Sequence, residues 1–180
     1  HFDAVGHIWE VPAATILHMH AKVLLPNRTV QNIPRAVGEI VTLPEYQGAQ
    51  VLAPQRTTPC GVEALNIQLQ AQLNPQSAAR PQWKLGTRLL RQGDRVIQTV
   101  NNYKIVSATG QVGVFNGEVG EIVDVSDLLT VDFGDRRVRY TKGEAIALDL
   151  AYALTVHKSQ GSEFSWVVCV VHSAHSYMLT

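Results

Sequence analysis

The sequence predicts an α/β chain in which a small β-rich subdomain interrupts a parallel-sheet frame. Three observations carry that prediction. First, Gln50–Ala53 (QVLA) reads as a short buried strand ended by Pro54, and residues 61–73 (GVEALNIQLQAQL) place Val62, Leu65, Ile67, Leu69 and Leu73 mostly on one helical face, giving a βα unit. Second, GDRVIQTV, GVFNGEVGEIVDV, LLTVDFG and RRVRY are short alternating segments separated by Gly, Asn and Asp turn signals, the texture of antiparallel strands in a small barrel. Third, an apolar run returns at Leu148, breaks at Thr155, and resumes as SWVVCVV.

The elements follow in order. Residues 12–25 (PAATILHMHAKVLL) have apolar side chains at helical spacing with a Pro suited to the first turn, so a helix is expected. Within it, His18 and His20 keep the two-residue spacing of a strand. A shorter helix is expected at 34–42. Residues 75–91 read as a polar connector containing Pro and Arg, and FGDRRVRY as a hairpin turning at Gly134 and Asp135. The frame resumes with a strand at 148–154, a helix start at 155–160 and a second buried strand in SWVVCVV. The predicted divisions are 1–91 and 144–180 for the frame and 92–143 for the insertion.

Composition excludes little. Of 180 residues, 46% are hydrophobic, enough for a core, and 15 basic side chains balance 15 acidic ones, so no globally basic nucleic-acid binder is indicated. Cys60 and Cys169 lie far apart in mostly apolar or small-residue surroundings and read as buried free thiols of a cytoplasmic protein. The seven histidines show no ligand spacing, and no metal site is expected. No apolar run reaches the roughly 20 residues of a membrane span, so no membrane partner is expected. The chain opens on His1 and closes on SYMLT, and both ends are expected to be cuts through a larger protein.

The polar segment between the last two apolar runs is the strongest site candidate. Thr155, His157, Lys158, Ser159 and Gln160 present hydroxyl, imidazole, ammonium and amide groups suited to phosphate oxygens, at the carboxyl end of a predicted strand where open α/β sheets bind ligands. Gly161 permits a turn or a close approach. Glu163 can accept from a sugar hydroxyl or pair with an arginine. A Thr that caps a helix whose Lys-Ser-Gln face meets water explains the same residues without a ligand.

AYALTVHKSQGSEF resembles motif V of superfamily 1 DNA helicases, in the form of the RecD/TraA branch that includes the exodeoxyribonuclease V alpha subunit. QVLAPQR with GVEALNIQLQAQLNP is similar to that branch's motif IV region, and GDRVIQTVNNY with VFNGEVGEIV resembles its lead into an SH3-like insertion. The matches run in order from about residue 50 to 171. The resemblance implies the second of two RecA-like motor domains, with a small SH3-like β-barrel inserted, from an ATP-dependent helicase that moves 5′ to 3′ on single-stranded DNA in repair or recombination.

Residue by residue, the resemblance implies that Thr155, His157, Lys158 and Ser159 face the DNA backbone, that Gly161 and Glu163 face the nucleotide, and that Arg56 reaches the γ-phosphate from across the cleft. Many family members have a Gly soon after that arginine, whereas this chain reads RTTPCG and reaches one only at Gly61. ATP and Mg2+ are the cofactors implied for the full-length protein. The sequence contains no GxxxxGK[ST] loop, and the motif VI arginine would lie past Thr180, so neither cofactor is expected to bind this chain tightly and it is expected to be inactive alone. The partners implied are single-stranded DNA, the first motor domain, and the other subunits where a family member works in an exonuclease complex.

In the insertion, Arg136, Arg137, Arg139 and Lys142 flank Tyr140, while Arg88, Arg91, Arg95 and Lys104 accompany Trp83 and Tyr103. Cations interleaved with aromatics suit single-stranded DNA. An ordinary exposed hairpin, its charge diluted by Asp132 and Asp135, fits equally well. Asn101, Asn102, Phe115, Asn116 and Gly117 read as turn chemistry. The competing function is a non-catalytic nucleic-acid or protein binding module built around the barrel.

Overall fold

The computed structural model describes residues 8–10, 20–23, 32–107 and 109–170. The chain divides into two units, one from residues 1–73 and 152–180 and the other from 74–151.

The first unit is built on a five-stranded sheet with strands β1 (Ile8–Glu10), β2 (His20–Val23), β3 (Gln50–Ala53), β13 (Ala153–Thr155) and β14 (Trp166–Cys169), in the order β1-β2-β14-β3-β13. Strands β2, β14, β3 and β13 run parallel, and β1 is antiparallel to β2. β3 is buried along its whole length, as a strand covered on both faces must be. The helix expected over 12–25 is corrected where it is described: residues 20–23 are a strand, paired with β1 on one side and β14 on the other. Two ladders of backbone hydrogen bonds outweigh a helical apolar period there, and the rest of the expected helix, His18 included, lies outside the described residues.

Helix α1 (Ile33–Val41) starts with Pro34 in its first turn and buries Ile33, Ala36, Val37 and Val41. It packs on α2 (Val62–Leu73), with Gly38 so close to Gln72 that a Cβ there would overlap the Gln72 side chain. The face of α2 that is buried carries Leu65, Asn66, Leu69 and Gln70. Ile67 and Leu73, assigned to that face from the sequence, are 69% and 42% exposed instead.

The second unit takes in more of the chain than 92–143. The supposed connector contains a hairpin of β4 (Gln82–Leu85) and β5 (Arg88–Arg91), whose two-residue link begins with Gly86 at φ +62°. Trp83 and Leu90, directly paired across it, are buried in the unit's core. The five-stranded antiparallel sheet comprises β6 (Arg95–Gln98), β9 (Val119–Val125), β10 (Leu129–Asp132), β11 (Arg137–Tyr140) and β12 (Leu148–Leu150) in the order β11-β10-β9-β6-β12, and β7 (Asn102–Val106) pairs with β8 (Val112–Val114). The β10–β11 hairpin turns at Gly134, φ +94°, as expected.

The strand expected over 148–154 is two strands. Leu148–Leu150 pairs antiparallel with β6, and Ala153–Thr155 pairs parallel with β3. A continuous apolar run marks both halves as buried and cannot show that they belong to different sheets.

The core of the second unit comprises Val96, Val114, Ile122, Leu129, Val131, Val138, Tyr140 and Leu148 with the hairpin residues above. Tyr140 donates to Gln98 Oε1 at 3.1 Å, and burial, reinforced by the Glu118 charge, pushes its phenol well above the ordinary range. Asp94, fully buried, accepts from the Arg91 backbone N–H and Asn74 Nδ2, both at 2.7 Å. Arg91 Nη1 donates to the Asn74 carbonyl at 2.8 Å. Among the described residues no helix is long and apolar enough to cross a membrane.

Candidate functional site

Two loops leave the same end of the parallel sheet. Ala53 lies opposite Thr155 in register, so the chain beyond β3 and the chain beyond β13 both emerge at the carboxyl ends of neighbouring parallel strands. This is the edge at which open α/β sheets present ligand-binding loops.

The first loop carries Arg56 and folds back onto the start of α2. Val62 N–H donates to the Gln55 carbonyl, Glu63 N–H to the Arg56 carbonyl, both at 3.0 Å, and Gly61 N–H to the Thr58 carbonyl at 2.8 Å. A Cβ on Gly61 would sit 2.6 Å from the Arg56 carbonyl oxygen, closer than any side chain tolerates. The late glycine of RTTPCG is therefore the residue that lets this loop close. Arg56 Nε pairs with Glu63 Oε1 at 2.8 Å, both side chains being about half exposed. Such a half-exposed pair is worth under about 1 kcal/mol. Cys60, buried in the same loop, is a free thiol whose pKa burial pushes up, as it does that of the half-buried free thiol Cys169.

The second loop is not the helix start that was expected. His157–Ser159 forms a single 3-10 turn, after which Gln160 is extended at φ −61°, ψ 131° and Gly161 takes φ +82°. Ser162 N–H donates to the Ser159 carbonyl at 3.1 Å, closing a type II turn that requires a glycine at that position. The two hydroxyls differ in availability. Thr155 Oγ1 accepts from the Lys158 N–H at 3.2 Å and keeps its own proton to donate, whereas Ser159 Oγ donates to the Val156 carbonyl at 2.8 Å. His157, Gln160, Gly161 and Glu163 are exposed; Lys158 and Ser159 are half-buried.

In the second unit most of the basic and aromatic residues hold the fold. Arg136, whose side chain is 11% exposed, pairs with Glu118 and Asp135 and lies 5.6 Å over the Phe133 ring. Arg88 pairs with Asp149 and donates to the Leu148 and Ile146 carbonyls. Trp83 is buried, donates to the Ser126 carbonyl at 3.0 Å and carries Lys142 over its ring. Arg137 pairs with Asp132 at 2.8 Å yet stays 64% exposed, and Arg139 is exposed on the same face of β11. Tyr103, 66% exposed, meets Phe115 edge to face at 5.8 Å and accepts from Asn101 Nδ2. Sequence reading missed Glu63 and Asn66; the available signal was a polar residue at the buried position between Leu65 and Ile67.

Comparison with known proteins gives the family context. Residues 65–133 match the family model described as the ATP-dependent RecD-like DNA helicase SH3 domain, and residues 150–180 match the UvrD-like helicase C-terminal domain. The chain is 40% identical over 132 residues, 73% of its length, to the ATP-dependent RecD2 DNA helicase of Deinococcus radiodurans. It is 28% identical over 141 residues, 78% of its length, to the RecBCD enzyme subunit RecD of Mycolicibacterium smegmatis. The matched segments cover 17% and 23% of those two relatives.

Proposed function

We propose, from a chain homologous to the RecD-type DNA helicases, that these residues are part of the second RecA-like motor domain of an ATP-dependent helicase, with an SH3-like barrel inserted around residues 92–143. The observation that carries this reading is the register that sets Ala53 opposite Thr155, so that the Arg56 loop and the 155–163 loop share one edge of the sheet. The first motor domain, single-stranded DNA and, in a nuclease complex, further subunits are the proposed partners. Translocation is 5′ to 3′ in this reading, which rests on the resemblance.

The chemistry follows from what each group has left to offer. Thr155 keeps a hydroxyl proton for a DNA phosphate, and His157 and Lys158 stand beside it on the 3-10 turn. Gly161 lies within the type II turn and Glu163 just beyond it, on the side assigned to the nucleotide. ATP with Mg2+ supplies the transferable phosphoryl group when bound. Arg56, exchanging Glu63 for phosphate oxygens, stabilises charge at that group. Its loop is set by backbone bonds, so the exchange needs only the side chain to move. The sequence lacks a phosphate loop, so the present chain holds one half of such a site and is inactive alone.

In the complete protein, Arg56→Ala is expected to lower DNA-stimulated ATPase about a thousand-fold, and Glu163→Ala about ten-fold, with thermal unfolding unchanged. Normal ATPase in both variants overturns the assignment. A second reading, the barrel as a non-catalytic nucleic-acid or protein binding module, is favoured by the exposed Tyr103 and Phe115 pair. It predicts binding that changes at Arg56 and Glu163 leave untouched.

A further inference from the structure

β13 is the edge strand of its sheet among the described residues, with β3 on one side only. An edge strand leaves alternate backbone N–H and C=O groups unpaired. At Ala153 those groups are satisfied by one side chain. Asn66, 7% exposed on α2, accepts from the Ala153 N–H through Oδ1 at 2.8 Å and donates to the Ala153 carbonyl through Nδ2 at 3.1 Å. An amide matches this pair of groups because it carries one acceptor and one donor side by side, as a neighbouring strand would. The backbone partners also fix its orientation, since the N–H can only donate and the carbonyl only accept.

Asn66 is three residues after Glu63, which holds Arg56 by its carboxylate and by its own backbone N–H. Residues three apart share a helix face. One rigid helix thus grips the arginine loop at its first turn and, one turn later, the strand that ends in Thr155. Gln50 on β3 adds a second tie at the residue just before β13, donating to the Tyr152 carbonyl at 3.2 Å.

We infer that Asn66 is a positioning residue that links the Arg56 loop to the 155–163 loop through the backbone of Ala153, so that a shift at the nucleotide side is passed to the DNA side. The inference rests on the motor reading above. Without the amide, α2 still buries Leu65 and Leu69, but its register against β13 loses its polar lock.

The test uses the complete protein and one measured ratio: single-stranded DNA affinity with a non-hydrolysable ATP analogue divided by affinity without nucleotide. Asn66→Ala removes both bonds; Asn66→Asp keeps the volume and the acceptor and loses the donor. Both are expected to shrink the ratio, Asn66→Ala by about five-fold, while Ile67→Ala on the exposed face leaves it unchanged. A purely structural role would move stability and both affinities together, leaving the ratio as it was. A folded Asn66 variant with the wild-type ratio overturns the inference. If Asn66→Ala does not fold, Asn66→Asp provides the ratio, and loss of folding in both assigns Asn66 to folding alone and also overturns it. A wild-type protein with no nucleotide-dependent ratio fails the motor reading and takes this inference with it, whereas unchanged variants beside a responsive wild type fail the inference only.

Discussion

Arg56 and Arg136 are both arginines that the sequence offers to phosphate, and their surroundings differ in every respect that decides availability. Arg56 sits in a loop whose shape comes from backbone bonds and Gly61, and its ion pair with Glu63 is about half exposed on both sides. Arg136 is nearly covered, faces two carboxylates and lies on an aromatic ring. The first arrangement leaves a cation that can change partners. The second makes the cation a staple of the fold. A basic residue next to aromatics in sequence is therefore a poor guide to a nucleic-acid surface until its burial is known.

The largest effect that would break this comparison is on stability. Arg136→Ala leaves Glu118 facing a partly buried hole and is expected to lower unfolding free energy of the present chain by about 2 kcal/mol, while Arg56→Ala costs under about 1 kcal/mol. Urea unfolding of the two variants checks this, and equal losses would remove the distinction. A smaller effect sharpens it on the binding side. Arg139 points outward from β11 beside Val138 and Tyr140, which are buried. In the complete protein Arg139→Ala should leave stability within about 0.5 kcal/mol and reduce the salt slope of single-stranded DNA binding by about 1. An unchanged slope would leave the exposed arginines of β11 as an ordinary solvated hairpin face.

The smallest expected effect concerns pH at the same hairpin. The Arg137 guanidinium beside Asp132, helped by the Gly134 N–H, holds that carboxyl below its ordinary value. A folded pKa below the unfolded one means the contribution is present above the ordinary carboxylate range and is lost as pH falls through the folded value. Asp132→Asn should flatten that part of the acid unfolding curve; identical curves for both proteins would show that the pair contributes nothing.

Much of the frame was legible in residues. QVLA, the β-rich segments and SWVVCVV carried local patterns and turn residues that no neighbour had to supply, Gly134 marked its own turn, and 61–73 was legible as a helix though not in which face it buries. The hairpin at 82–91 was not legible because its polar edge hides two core residues, Trp83 and Leu90, that alternate with Lys84 and Leu89. The helix expected at 12–25 lost residues 20–23 to strand pairing, with β1 nearby in sequence and with β14 far from it.

By itself the sequence determined the donor set of 155–163, the glycine that its type II turn needs, and the arginine that follows β3. These are properties of side-chain chemistry and of φ at single residues, so they travel with the residues. Only the tertiary structure decided which cations remain available, that the run after Leu148 divides between two sheets, and that Asn66 ties α2 to Ala153. Each of those depends on which distant groups meet, and a desolvated carboxylate or an unpaired edge amide becomes a partner only once the chain has folded around it.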